Sequence, residues 1–301
     1  MTMDLLFITH LLNGLLMIAM PLALGFYLNA RWRLGWRLWG IGAAAFIISQ
    51  IGHIPFNYFL TWLFQKGFLP TPPVTWWRYF NPIVLGLSAG LFEELSRAAV
   101  YAWWAKDARS WRRGVLLGAG HGGVEAFILG ALVLYTFLQM VSLRNADLSK
   151  IIPADQLQLA QQQMSAYWSA SWYAALLGAL ERFFTIPFQI CLSVIVLQAF
   201  IRRQPAWVVM AIGLHAFADA LSVYLMGVWK GQVWSSYAIE GVIGILSIIG
   251  VVILFALRRP EPEPVVELIP VPAPPLVTVE IKPADENQAI NPDKLDQSKY
   301  L

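Results

Sequence analysis

Charged residues and cysteine are both scarce in this sequence. The 301-residue chain has 13% charged residues, about half the share of a typical soluble protein, and one cysteine, Cys191. A single cysteine excludes an intramolecular disulfide framework and a metal site built on cysteine thiolates. The net charge of +3 is small and comes from short segments, so a nucleic-acid-binding surface is not indicated.

Hydrophobic residues make up 58% of the chain and fall in long blocks. A bilayer core of about 30 Å is crossed by a helix of about twenty apolar residues, which is the length of these blocks. We therefore predict an all-α, polytopic membrane protein, a helical bundle of about seven transmembrane helices. The predicted spans are residues 5–28, 38–64, 82–104, 114–141, 171–201, 206–229 and 235–257.

The basic residues favour one orientation in the plasma membrane. Eleven lysines and arginines flank the predicted spans on one side and five on the other. Cytoplasmic loops carry the excess of these residues. We therefore expect the N-terminus outside the cell and the C-terminus in the cytoplasm.

Two segments outside the spans have distinct compositions. Residues 155–164 form a polar, helix-favouring run between the fourth and fifth spans, which we expect to act as a solvated connector. After Arg259 the sequence becomes rich in proline and glutamate, a composition that favours extended polyproline structure. The sequence thus predicts a membrane domain at residues 1–259 and a disordered cytoplasmic tail at residues 260–301.

Ionisable residues lie inside the apolar spans. The segment Gly-Leu-Phe-Glu-Glu-Leu-Ser-Arg at residues 90–97 places Glu93, Glu94 and Arg97 about halfway along the third span. Each charge at that depth costs roughly 2.5–3.5 kcal/mol, so the fold must pair these groups. Ionisable residues at similar depth in later spans are His121, Glu125, Glu181, Arg182, His215 and Asp219.

Three of these spans carry their polar residues four positions apart, as in Glu93–Arg97, His121–Glu125 and His215–Asp219. Residues at this spacing share one helix face, so we expect the three faces to meet in one buried site. Glycines within residues 118–123 would permit the close helix approach that such a site needs. Taken singly, Glu93–Arg97 and Glu181–Arg182 can also be read as structural ion pairs.

A buried set of carboxylates and imidazoles supports two kinds of hydrolysis. A carboxylate with a histidine can activate water for attack on an amide while a second histidine stabilises the oxyanion. Alternatively, His121, Glu125, His215 and Asp219 are candidate ligands for zinc with an open water position, although the sequence has no His-Glu-x-x-His motif. A transporter or proton relay, or a membrane scaffold, remains the non-enzymatic alternative.

The second span carries a further polar pair, His53 and Asn57. Pro55 between them is expected to kink this helix and free a backbone carbonyl. We therefore interpret His53 and Asn57 as residues that pack against or support the site rather than react.

Four short motifs resemble those of the CAAX-processing and bacteriocin-processing intramembrane proteases, and most of all their YhfC branch. They are Glu93-Glu94-x-x-Arg97, Gly-His-Gly-Gly-x-Glu-Ala at residues 120–126, Glu181-Arg182 and His215-x-x-x-Asp219. The resemblance covers residues 1–257. It implies that the membrane domain is peptidase-like and cleaves membrane proteins or peptides in or near the bilayer.

The resemblance also implies roles for single residues. Glu93 or Glu94 would activate water, and His121, His215 and Asp219 would support the oxyanion. The supporting residues are Arg97 and Arg182, which would balance the carboxylates, with Glu125 and Glu181. The chain departs from the common pattern because two residues, not three, separate the glutamates from Arg97, and because Asp219 replaces a frequent asparagine. The choice between a metal and a glutamate-only mechanism therefore stays open.

Overall fold

The computed structural model describes residues 2–259, so the predicted tail at 260–301 lies outside the described residues. The described part contains eight α-helices and no strand, which confirms the all-α prediction. The helices are α1 (Thr2–Trp32), α2 (Arg37–Gln65), α3 (Trp77–Trp103), α4 (Trp111–Leu143), α5 (Ala154–Ser169), α6 (Leu177–Arg202), α7 (Ala206–Val228) and α8 (Ser235–Ala256).

Six of the helices within residues 2–259 are long and apolar enough to cross a membrane, namely α1, α2, α4, α6, α7 and α8. The 27-residue α3 would be about 40 Å long, which also suffices for a bilayer, but it carries Glu93, Glu94 and Arg97 near its middle. Large apolar side chains are exposed on the outer faces of the bundle, as a lipid environment requires. The protein is an integral multi-pass membrane protein. Its six apolar helices together with α3 agree with the prediction of about seven spans.

Helix α6 is the most enclosed span of the described bundle. Two thirds of its apolar segment is buried, and residues from Leu192 to Leu197 have almost no exposed surface. Helix α4 packs on one side of α6 and α8 on another, while α3 and α7 lie along each other and both contact α6. With α1, which also contacts α6, five neighbouring helices surround this span.

Two glycines bring α3 and α7 into close contact. A Cβ atom on Gly86 would lie 2.4 Å from the carbonyl oxygen of Ala216, and one on Gly90 would lie 2.8 Å from that of Ile212. The two glycines are four residues apart and so lie on the same face of α3. Because the backbones approach so closely, the carboxylates that follow on α3 face the histidine of α7.

The glycine run of α4 has the same effect on two neighbours. A Cβ atom on Gly120 would lie 1.9 Å from the carbonyl oxygen of Trp39 in α2, and one on Gly122 would lie 2.8 Å from Cβ of Gln189 in α6. The structure thus agrees with the close approach expected from the sequence. It places α4 in tight contact with α2 and α6 at the depth of His121.

The connector between α4 and α6 contains a helix. Residues 154–169 form α5, in line with the helix-favouring composition of this polar run, and none of its residues is buried. The ring of Tyr167 stacks on His10 of α1 with a centroid distance of 4.0 Å, and partial burial raises the pKa of Tyr167 to about 12. Helix α5 is therefore docked onto the end of α1.

Candidate active site

Glu93 of α3 is the carboxylate on which side chains of four other helices converge, namely α2, α4, α6 and α7. Its Oε2 atom lies 3.1 Å from Nε2 of His121 in α4 and 3.9 Å from Nε2 of His215 in α7. On the other oxygen, Gln50 of α2 donates a hydrogen bond from Nε2 to Oε1 at 3.2 Å. The structure therefore brings Glu93, His121 and His215 into one buried cluster, in the way that their spacing predicts.

Glu94, the adjacent carboxylate, has a different environment. It is fully buried, and its Oε1 atom accepts hydrogen bonds from the Arg97 guanidinium and from Nδ1 of His215, the latter at 2.7 Å. Because Nδ1 of His215 is the atom bound to Glu94, its Nε2 atom is directed to Glu93 and Asp219. Glu94 thus fixes the orientation of the imidazole that faces Glu93.

Gln189 of α6 is a member of the cluster that the sequence analysis did not single out. Its Oε1 atom accepts from Arg97, and its Nε2 atom lies 3.4 Å from Glu93 and 3.0 Å from Glu125. One amide therefore connects two carboxylates with a fully buried guanidinium. The only sequence signal for it is a polar residue in an otherwise apolar segment of the fifth predicted span.

A second ion-pair group adjoins the first. Arg182 of α6 donates to Glu125 of α4 at 2.6 Å through Nη1 and to Glu181 through Nη2. Arg182 is buried, whereas the side chain of Glu181 is 38% exposed. The charge of this arginine is therefore compensated on both sides, as a cation within a membrane domain requires.

Asp219 lies at the edge of the cluster. Its Oδ2 atom is 3.6 Å from Nε2 of His215, which is too long for a good hydrogen bond, and its side chain is 43% exposed. His53 and Asn57 form a separate polar group, in which both contact the hydroxyl of Ser88 at 3.1 Å. These two residues therefore lie beside the cluster rather than in it.

Two cavities meet at the cluster. The first, which we call the apolar cavity, measures ≈ 790 Å³ and lies between α2 and α4, with walls that include Ile51, Ile128 and Leu132. The second, which we call the polar cavity, measures ≈ 160 Å³ and lies between α6, α7 and α8. The residues that line both cavities are Glu93, Glu125 and Asp219. This carboxylate set is thus reached from two different sides.

The residue types around Glu93 are those that bind zinc, but their arrangement is not that of a metal site. Within residues 2–259, no group of three or more His, Cys, Asp or Glu side chains is placed to hold an ion. Glu125, one of the four predicted ligands, is held by Arg182 and Gln189. The Arg97 guanidinium, 3.7 Å from Glu93, would also repel a cation there. Zinc as a cofactor stays a prediction.

Fold and cluster together define a multi-pass helical membrane protein with a buried carboxylate–histidine site. The family model described as YhfC intramembrane metalloprotease matches residues 16–243, a stretch that contains every cluster residue named above. The chain belongs to this family. A relative from Bacillus subtilis (strain 168), described as "Uncharacterized membrane protein YhfC", is 28% identical over 182 residues, which cover 58% of this chain and 67% of that protein. No solved structure is significantly similar to the chain.

Proposed function

We propose that this protein is an intramembrane endopeptidase that hydrolyses peptide bonds of membrane-embedded or membrane-proximal substrates, with Glu93 as the group that activates water. The observation that carries the proposal is the position of Glu93, which lines both cavities and faces two imidazoles. The description of the family supports peptidase activity, and we propose the mechanism and the substrate class.

The first step of the mechanism uses Glu93 as a general base. Its carboxylate takes a proton from a water molecule, and the resulting hydroxide attacks the carbonyl carbon of the scissile bond. The tetrahedral oxyanion would accept a hydrogen bond from the protonated Nε2 of His215, which lines the polar cavity, while Nε2 of His121 holds the Glu93 carboxylate. Glu93 returns the proton to the amide nitrogen, and the C–N bond breaks to release an amine and a carboxylic acid.

The two adjacent glutamates have different tasks in this proposal. Glu94 is fully buried, lines neither cavity, and binds both Arg97 and His215 through its Oε1 atom. We assign Glu94 to holding His215 in its orientation, and Glu93 to the proton transfers. Asp219 supports the Nε2 side of the same imidazole.

The substrate side of the site follows from the apolar cavity. Its walls are mostly apolar, with six isoleucine and leucine side chains, and its polar residues include Glu93, Glu125 and Asp219. An apolar polypeptide segment would match the walls and bring peptide N–H and C=O groups to the polar end. A hydrocarbon chain of a lipid would leave those polar groups without partners.

Comparison of protein termini in membranes tests the proposal. Membranes from cells that produce the wild type should contain new peptide N-termini that are absent with Glu93→Gln, because an amide cannot accept the water proton. Glu240→Gln is the matched control, since Glu240 is a buried glutamate of α8 outside the cluster, and it should reproduce the wild-type termini. If Glu93→Gln also yields them, the assignment of Glu93 is wrong.

A cleavage assay with purified protein tests whether the activity requires a metal ion. A synthetic peptide that spans one identified cleavage site should be cut equally well before and after treatment with a chelator, because Arg97 and Gln189 already occupy the surroundings of Glu93. One equivalent of zinc per chain, removed together with the activity, would contradict the mechanism but not the peptidase activity itself.

A further inference from the structure

Hydrolysis at Glu93 requires water at a carboxylate enclosed by membrane-spanning helices. We propose that the polar cavity between α6, α7 and α8 is the route by which water reaches Glu93, separate from the apolar cavity that faces α2 and α4. The effect of this water route on catalysis rests on the proposed function. The water route itself is a statement about the fold and can be tested without any substrate.

The lining of the polar cavity is the first reason. Its walls include the hydroxyls of Thr185 and Ser222, the amide of Gln189 and the charged groups of Glu181 and Arg182. Polar groups in an apolar medium lose about 2–7 kcal/mol each when they have no hydrogen-bond partner. A volume of ≈ 160 Å³ has room for about five water molecules at the density of the liquid. Arg182 and the Ser222 hydroxyl already donate to protein partners, so water in this cavity would serve the remaining acceptor positions of the hydroxyls and carboxylates.

The two ends of the cavity are the second reason. At its inner end lie Glu93 and His215, the groups that must meet the reacting water. At its outer part the side chain of Glu181 is 38% exposed, and that of Asp219 is 43% exposed. Asp219 has its closest described polar contact at 3.6 Å, so its carboxylate also needs solvation. The cavity therefore links two partly exposed carboxylates to the reacting groups.

The apolar cavity is unsuited to the same task. Apart from Gln50, His53 and the three carboxylates, its walls between α2 and α4 are apolar, with residues such as Ile51, Ile128 and Leu132. These apolar side chains offer no hydrogen bonds to a chain of water molecules. Because the two cavities share only a set of carboxylates, water and peptide would meet at Glu93 from different directions.

Cysteine accessibility tests the route directly. The native thiol, Cys191, is fully buried, so a cysteine introduced elsewhere can be labelled with little background. Thr185→Cys and Ser222→Cys report on the polar cavity, and Leu132→Cys is the control in the apolar cavity. Membrane vesicles would be treated with a cationic methanethiosulfonate, which travels through water, and with a lipophilic maleimide, which travels through lipid.

We expect the cationic reagent to modify Thr185→Cys and Ser222→Cys at least about tenfold faster than Leu132→Cys, because a charged reagent is excluded from the hydrocarbon region. The lipophilic maleimide should label Leu132→Cys readily, which shows that this thiol is present and reactive. Equal rates of cationic labelling at the two cavities, or none at Thr185→Cys and Ser222→Cys, would overturn the proposal.

A second measurement connects the route to catalysis. Cationic labelling of Thr185→Cys should lower kcat for cleavage of the synthetic peptide at least about tenfold relative to the same unlabelled variant, with KM unchanged, because water delivery and not peptide binding is impaired. Labelled protein with undiminished kcat would show that the water comes from elsewhere. An absence of any cleavage, even by the unlabelled wild type, would instead contradict the proposed function and leave the labelling result intact.

Discussion

At the scale of single residues, the site depends on two neighbouring carboxylates with unlike surroundings. Successive residues of an α-helix point in directions about 100° apart, so Glu93 and Glu94 reach opposite ring nitrogens of His215 and contact Arg97 at different distances. The sequence predicted both as candidates for the base and left the choice open. Only the packing of α6 and α7 against α3 separates them, and no pattern within the third span contains that information.

The two glutamates should differ in their effect on stability. Glu94→Gln removes the carboxylate that Arg97 and His215 share and should lower the free energy of unfolding by about 3–5 kcal/mol, because a buried guanidinium loses its charged partner. Glu93→Gln should cost clearly less, since its contact with Arg97 is long, at 3.7 Å. Thermal unfolding of both variants in detergent measures this. Equal transition temperatures of the two variants would show that Arg97 is not stabilised more by Glu94 than by Glu93.

The charged residues of the site could be recognised in the sequence because each charge is costly in a membrane. The glutamines of the site could not be recognised in this way. A glutamine within an apolar span costs less and is often satisfied by its own helix, as Gln198 is by the carbonyl of Val194. Gln189 and Gln50 therefore carried no signal that distinguished them from Gln198. Their contacts with Glu93 became visible only in three dimensions.

Gln189 and Gln198 form a matched pair for mutation, since both are buried in α6. Gln189→Leu should lower kcat for peptide cleavage by about 10–100-fold, because Glu93 and Arg97 lose the amide that positions them. Gln198→Leu should leave kcat near the wild-type value. The pH dependence of kcat should shift in Gln189→Leu alone. If both variants behave alike, the loss is a general effect of burying leucine in α6.

At the scale of helices, the sequence predicted the spans and the glycine-rich contact of α4 but not the partners of each helix. Hydrophobic length defines a span well, whereas the choice of neighbours depends on shapes that a one-dimensional pattern does not contain. The run at residues 155–164 shows a different limit. Its propensity for helix was visible, but the docking of α5 through Tyr167 onto His10 is a tertiary contact.

The glycine contacts should be sensitive to a single methyl group. Gly120→Ala would place a Cβ atom 1.9 Å from the carbonyl oxygen of Trp39, so α2 and α4 must separate, at a cost of about 1–3 kcal/mol. Gly213→Ala in α7 is the control, because no atom lies within 4 Å of its Cβ position, and it should be neutral or stabilising by about 0.5–1 kcal/mol. Transition temperatures of both variants check this. A stable Gly120→Ala would refute the contact.

At the scale of the whole molecule, the orientation in the membrane remains a proposal from the basic residues. We place the α4–α6 connector outside the cell and the α3–α4 loop in the cytoplasm. Gln162 of α5 and Lys106 of the α3–α4 loop are both exposed, so each can carry a reporter cysteine. In intact cells a membrane-impermeant maleimide should label Gln162→Cys, and it should label Lys106→Cys after permeabilisation alone. The reverse pattern would invert the topology.

The tight crossing of α2 and α4 has a geometrical consequence for the apolar cavity. The two helices touch where Trp39 meets Gly120, whereas the cavity lies between residues 46–55 of α2 and 125–132 of α4. The crossing can therefore act as a pivot, and the far ends of the cavity are about 18–24 Å from it along the helices. A rotation of about 5° around this pivot would move those ends by about 2 Å relative to each other. If the proposed peptide substrate enters through this cavity, a glycine outside the cavity therefore sets the width of its entrance.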